Sequence, residues 1–365
     1  MDLHGGDIYH NQIEMDFSVS VNPLGMPEGV KKALMDAIEN GSHYPDIYGT
    51  ELVEKLAESE SVEKEQILLG NGAAELIYAL VHAIYVQRNK QGVSALSIAP
   101  TFSEYENAIQ AVGGNMEYVL PGSLTRQDSA DEIESFDAQV LQVLQDLQEK
   151  ISDHTDLVFL CNPNNPTSTI FERESIVQIA KRCKETNTIL CVDECFLPFL
   201  INEPELTMKA YMDEFQNLII LRAFTKIYGI AGVRLGYALT SNEILIQSMR
   251  AQLQPWNTSV LSQAAGVAAL EDKEFIAKTI QFIEKEKKYL LDAFEKLSLP
   301  VLGADANFIF FKGPVDLSEK LLEYKIAIRD CSNFVGLKKG YYRIGIRTHE
   351  ENEKLMQVVS EIIKG

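Results

Sequence analysis

Short, uninterrupted apolar runs alternate along the chain with longer stretches whose apolar positions recur every three to four residues. The runs Ala95–Ala99, Leu157–Cys161, Ile189–Val192, Leu218–Leu221 and Leu235–Leu239 predict strands. They are apolar throughout rather than alternating, which is the expectation for parallel strands covered on both faces. Between them the 3.6-residue period predicts helices over Ala74–Val86, Phe102–Val112 and Glu172–Thr186. Pro27–Glu39 also reads as a helix, with Val30, Leu34, Ala37 and Ile38 on one face and Asn40-Gly41 as its stop signal. This alternation is the pattern of an α/β domain.

After Leu239 the pattern changes. A long charged amphipathic helix is expected over Lys273–Leu297, followed by strand Ala306–Phe311, helix Leu317–Tyr324, strand Tyr341–Ile346 and helix Glu350–Ile363. This reads as a smaller α+β domain. The linker is expected within Met249–Ser259, around Pro255. The acidic stretch Asp128–Gln148 reads as a solvated helix and loop.

A length of 365 residues suggests about two domains. With 46% hydrophobic and 24% charged residues, the chain is neither disordered, fibrous nor membrane-spanning by composition. Its most apolar run, Ile189–Ile201, contains Asp193 and Glu194 and is too short to cross a bilayer. The formal charge of −20 repels nucleic-acid phosphates and anionic lipid, so neither is an expected partner. An anionic ligand therefore needs a local positive pocket. The first ten residues carry neither a basic nor an apolar signal-peptide region. The five cysteines form no CxxC, and four lie in or beside apolar runs, so reduced thiols, mostly in the core, and a cytoplasmic location are expected.

Candidate chemistry concentrates at strand ends. Leu221–Tyr237 reads LRAFTKIYGIAGVRLGY and places Lys226 just past a strand, with Arg234 following among glycines. Ligands of open α/β sheets sit at such strand ends. A lysine there can act as a Schiff-base nucleophile if burial lowers its pKa. Taken alone, Lys226 reads more readily as an exposed surface lysine. Three further pieces change this. Ile189–Phe199 (ILCVDECFLPF) ends a strand in Asp193 and Glu194, and a carboxylate there can pair with a protonated ring nitrogen. Leu160–Thr169 (LCNPNNPTST) brings Asn165, which can donate to a ring oxygen or simply serve the turn. Leu69–Glu75 (LGNGAAE) offers glycines before a helix, whose first N–H groups favour an anion. The glycine fingerprint of a nicotinamide dehydrogenase is missing, and the six histidines show no metal-ligand spacing.

With these four segments in this order, the chain resembles the fold-type-I pyridoxal 5′-phosphate enzymes of the class I/II aminotransferase superfamily along essentially its whole length. The resemblance implies an α/β fold-type-I transferase: a large domain with a mostly parallel central sheet flanked by helices, plus the smaller α+β domain. The implied boundaries are residues 1–40 for the N-terminal arm and part of the small domain, 41–248 for the cofactor-binding domain and 249–365 for the rest of the small domain. It implies pyridoxal 5′-phosphate as cofactor, with Lys226 as the Schiff-base lysine and Asp193 on the pyridine nitrogen. Asn165 would bind the ring hydroxyl oxygen, and Phe102, in PTFSEY, would stack on the ring. Arg234, Thr225 and the backbone of Ala73 and Ala74 would hold the phosphate. Tyr44 would reach the phosphate of a neighbouring subunit, which implies a homodimer.

Two subfamilies fit: L-threonine-O-3-phosphate decarboxylase of cobalamin biosynthesis and histidinol-phosphate aminotransferase. His4-Gly5-Gly6, DFSVSVNPLGMP (residues 16–27), the YYR…IR ending of Ile328–Arg347, and Phe196 where aminotransferases usually carry Tyr all resemble the decarboxylase. The implied reaction is loss of CO₂ from L-threonine O-3-phosphate to give (R)-1-amino-2-propanol O-2-phosphate; the alternative is transamination with 2-oxoglutarate and glutamate. By the same resemblance Arg343 binds the α-carboxylate, Arg329 the substrate phosphate, and His4 adds a donor. Ser20 and Asn165 would also lie near the substrate. Arg347 reads as a second phosphate ligand or as a structural ion pair. Three residues depart from the family pattern. Ala223 replaces a phosphate-binding hydroxyl, Ser168 replaces the glycine of NPTG, and Ser20 replaces an asparagine near the substrate. The last keeps a different phosphorylated amino acid, such as O-phosphoserine, open. A regulator built on this fold would carry a basic DNA-binding segment ahead of it, and none is expected here.

Overall fold

A computed structural model of the chain describes residues 4–10, 12–122 and 136–364. Its main sheet has seven strands, ordered Ile67–Gly70, Gly236–Leu239, Leu218–Ala223, Ile189–Asp193, Leu157–Cys161, Ser94–Ile98 and Asn115–Val119. The last five are mutually parallel. Successive residues of the central strands feed two cores. Leu157, Phe159, Cys161, Cys191, Ile219 and Leu221 pack with helix Ala73–Gln87 on one face. Val158, Leu160, Leu190, Val192, Leu218 and Ile220 pack on the other. Both faces are covered, so these successive positions are all apolar.

Gly236–Leu239, expected to be parallel, is antiparallel to both neighbours. The reason lies in the connection. Between Ala223 and Gly236 the chain forms only the one-turn helix Phe224–Ile227, not a crossover over the sheet, so it returns in the opposite direction. Two strands of this sheet escaped the sequence pattern. Ile67–Gly70 is short, and Asn115–Val119 is an edge strand whose exposed and partly buried residues break any apolar run. Helix Phe136–Lys150 buries Val143, Leu144 and Leu147 in the core, so this part of the acidic stretch is packed rather than simply solvated. The preceding part, 128–135, lies outside the described residues.

A second, antiparallel sheet joins Arg329–Asp330, Tyr341–Gly345, Phe308–Lys312 and Val301–Gly303. Helices Phe275–Lys296, Leu317–Glu323 and His349–Lys364 accompany it. The N-terminal segment runs along this unit. Met15–Asp16 pairs in parallel with Ile326–Ala327, and the Gly345 N–H donates to the Phe17 carbonyl at 2.8 Å. The segment then ties to the main sheet's lysine turn. The Asn22 N–H donates to the Lys226 carbonyl at 3.0 Å, and its amide donates to the Ile227 carbonyl at 2.6 Å. The lysine turn is thus braced by Asn22, some two hundred positions earlier.

Candidate active site

A cavity of about 410 Å³ opens where the carboxyl ends of the central strands meet the small sheet and the N-terminal arm. His4, Ser20, Ala73, Ala74, Phe102, Asn165, Asp193, Thr225, Lys226, Arg234, Arg329 and Arg343 all line it, as do Ala223 and Phe196. Residues up to 339 positions apart in sequence converge there.

Lys226 comes from the one-turn helix after strand Leu218–Ala223. Burial lowers its pKa, and the Arg343 and Arg234 charges lower it further, while Cys195 and Asp193 oppose this. The neutral, nucleophilic amine is thereby favoured. Asp193 ends its strand buried. It accepts a 2.8 Å bond from the Tyr105 hydroxyl on one oxygen and a 3.0 Å bond from the Cys195 N–H on the other. Tyr105 is itself locked. It is wholly buried, stacks on Phe159 with centroids 4.5 Å apart, and meets Phe102 edge-on. Burial, then the Asp193 charge, push its hydroxyl pKa far up, so it remains a donor at every working pH.

One end of the cavity is built for an anion. Gly72, at φ +81°, precedes helix Ala73–Gln87; a Cβ there would sit 2.5 Å from Arg234 Nη2. Only glycine lets the guanidinium reach the helix start, where the first N–H groups lack intrahelical partners. Thr225 adds a buried hydroxyl. Ala223 contributes only its methyl group.

The small sheet supplies the other positive charges. Arg329 and Arg343 are directly paired across antiparallel strands, so both side chains lie on one face. Arg343 donates to Asn165 Oδ1 and to the Ser18 carbonyl, both neutral oxygens, and its Nε has no partner among the described residues. Its bond to Asn165 Oδ1 leaves the Asn165 amide nitrogen for a ligand oxygen. Burial lowers the Arg343 pKa to about 10, which still leaves it cationic at neutral pH. Burial also lowers the Arg329 pKa. Arg329 donates to Asn333 at 2.9 Å and lies over the Phe334 ring. Ser20 is buried, and its hydroxyl lacks a partner among the described residues. His4 pairs with Glu104 at 2.8 Å.

Three expected or considered residues lie elsewhere. Glu194 pairs with the buried Arg222 at 2.7 Å and is not among the cavity-lining residues. Arg347 pairs with Glu351 at 3.1 Å, so the structural ion pair, not the cavity, is its place. Tyr44 is 79% exposed and stacks on Trp256, away from its own chain's cavity. At the altered turn, Ser168 adopts φ +66° and its hydroxyl accepts from the Ala306 N–H at 2.6 Å. The serine thus ties the turn to the chain leading into strand Phe308–Lys312 of the small sheet. Sequence reasoning missed Tyr105, Glu104, Ser18, Cys161, Cys195 and Phe334. For Tyr105 a signal existed, because Phe102 and Tyr105 are one helical turn apart within PTFSEY.

Among the described residues no three His, Cys, Asp or Glu side chains gather as a metal site, and no helix is long and apolar enough to cross a membrane. The sequence matches the family model for aminotransferase class I and II over residues 12–359. It is 33% identical to threonine-phosphate decarboxylase of Salmonella typhimurium over 355 residues, 96% of this chain and 92% of that protein. It is 31% identical to histidinol-phosphate aminotransferase of Caldicellulosiruptor saccharolyticus over 346 residues, 94% and 90% of the two chains. The fold superposes on the crystal structure of histidinol-phosphate aminotransferase from Clostridium acetobutylicum with a TM-score of 0.83 and 26% identity, covering 96% of this chain and 99% of that one. The chain belongs to the aminotransferase class I and II family, whose cofactor is pyridoxal 5′-phosphate.

Proposed function

We propose that the protein decarboxylates L-threonine O-3-phosphate to (R)-1-amino-2-propanol O-2-phosphate, in cobalamin biosynthesis. The observation that carries this reading is the Arg329–Arg343 pair, two cations on one face of the cavity wall. A substrate with a carboxylate and a phosphate would offer one anion to each arginine, and the 33% identity to the Salmonella decarboxylase supports the reading.

The residues fit the family's cofactor. Arg234, Thr225 and the starting N–H groups of helix Ala73–Gln87 would hold its phosphate, in a cradle that a Cβ at Gly72 would fill. Asp193, oriented by Tyr105 and Cys195, would hold the pyridine nitrogen protonated. Asn165 would donate to the ring oxygen, and Phe102 would cover the ring. Lys226 would attach the cofactor and move the proton at the substrate Cα. Bound there, the cofactor supplies an electron sink for the bond that breaks at Cα.

Which bond at Cα breaks depends on the orientation in which the substrate is held. Arg343 on the carboxylate, with Arg329 and His4 on the phosphate, would set that orientation. Phe196 offers no hydroxyl near Lys226, whose Nζ lies 6.0 Å from the ring centre. Tyr44 would complete the site of a second copy, making the enzyme a homodimer. The five free, buried cysteines support a cytoplasmic setting.

The alternative is histidinol-phosphate aminotransferase, favoured by the likeness to the Clostridium structure. The test is a product assay on cofactor-loaded protein with L-threonine O-3-phosphate and no keto acid. Repeated turnover with one CO₂ per substrate supports the decarboxylase. No CO₂, with glutamate formed from histidinol phosphate and 2-oxoglutarate, replaces it with the aminotransferase. Faster turnover of O-phosphoserine than of phosphothreonine would change the substrate and leave the reaction type.

A further inference from the structure

Glu104 is a carboxylate in the wall of a cavity otherwise furnished for anions. It starts helix Glu104–Ala111 and is held by three donors: His4 Nε2 at 2.8 Å, the Asn107 amide at 2.7 Å and the Tyr78 hydroxyl at 3.1 Å. A negative charge left bare here would repel a substrate phosphate. The residue that covers it is the histidine of the N-terminal arm. That arm is docked on its other side as well. The Gly6 N–H donates to Ser18 Oγ at 2.8 Å, and a Cβ at Gly5 would sit 2.5 Å from the Ser18 carbonyl. The same Ser18 carbonyl accepts from Arg343. The arm therefore bridges the large-domain helix and the arginine-bearing wall.

We propose that Glu104 is a positioning residue for phosphorylated substrates, acting through His4. A carboxylate can only accept, so Nε2 of His4 must be the donor in their bond, which leaves Nδ1 as the nitrogen available to the substrate. Glu104 thus fixes the arm and the ring's place at the cavity mouth, while His4 screens Glu104 from the phosphate. The inference rests on the reading of the substrate as phosphorylated, though not on which reaction follows.

The test compares wild type with H4A, E104Q and the double variant, using whichever of phosphothreonine or histidinol phosphate is turned over. E104Q keeps the side chain's size, its oxygen can accept from Asn107, and its amide nitrogen can donate to the Tyr78 hydroxyl oxygen, so the wall is retained while the charge is removed. Each single variant is expected to raise KM about tenfold, the scale of one charge-assisted hydrogen bond, with the larger part of the loss in KM rather than kcat. The double variant should be no worse than the single ones, because both remove the same interaction. Additive losses, an unchanged KM in E104Q, or a fall in its KM would overturn the proposal. If wild type turns over the unphosphorylated substrate as well as the phosphorylated one, the phosphate reading fails first. The decarboxylase reading can fail without affecting this result.

Discussion

Enclosure of Lys226 costs the folded protein something before any ligand arrives. Its pKa is lowered, first by burial and then by Arg343 and Arg234. Between that lowered value and the ordinary lysine value, the unfolded chain binds more protons than the folded one, so stability rises with pH across this window. Below the window the full penalty applies. K226M should therefore melt above wild type as apo-protein at pH 7, and the gap should close as pH rises toward the ordinary lysine range. Thermal melts of both apo-proteins over a pH series measure this; a gap that widened with pH would contradict it. In the loaded protein, K226A should lose both activity and the visible absorbance of covalently attached cofactor, and a surviving band would remove the central role given to this residue.

Gly72 is the joint between strand Ile67–Gly70 and helix Ala73–Gln87, and its positive φ and missing Cβ both serve Arg234. G72A should weaken cofactor binding by about tenfold or more, from backbone strain plus displacement of the guanidinium. Equilibrium titration of apo-protein with pyridoxal 5′-phosphate reads it. Such sites were legible from sequence because each chemical residue stands at a visible boundary. Asp193 closes an apolar run, Lys226 follows one, and Ala73 opens a helix behind glycines. Strand direction was not legible, since Gly236–Leu239 is buried on both faces whichever way it runs. Asn115–Val119 was hidden by its half-exposed edge position. Tyr105 and Glu104 were hidden differently: their roles depend on which partner sits opposite, Asp193 or His4, across 88 and 100 positions of chain.

Behind the cavity, Arg222 is fully enclosed among Glu194, Glu203 and Thr207, with its charge held by carboxylates that outweigh burial. The same network holds Glu60, whose pKa is lowered, against burial, by Arg222 and Lys209. Removing one member of a buried ionic group leaves the rest uncompensated, at a cost of about 3–5 kcal/mol. R222M should lose that much in urea unfolding. The deficit should shrink as pH falls into the carboxylate range, where the stranded groups can take up protons.

At the scale of the whole molecule, the position of Tyr44 matters most. It is exposed and stacked on Trp256, and it does not line the cavity of its own chain. If it completes the site of a second copy, each active site needs Lys226 from one chain and Tyr44 from the other. The geometry of a closed two-fold pair then makes a definite prediction. K226A dimers are inactive and Y44A dimers are weak. In a mixed dimer, one site lacks both residues. The other has Lys226 from the Y44A chain and Tyr44 from the K226A chain, so it is whole. Random pairing of equal amounts puts half the dimers in the mixed form, each with one good site, and activity should recover to about a quarter of wild type. Co-refolding the two variants and assaying the mixture measures it. Recovery above the sum of the separate variants requires a shared site. No recovery, with dimers present by sedimentation, would confine each active site to a single chain and leave Tyr44 as a surface aromatic.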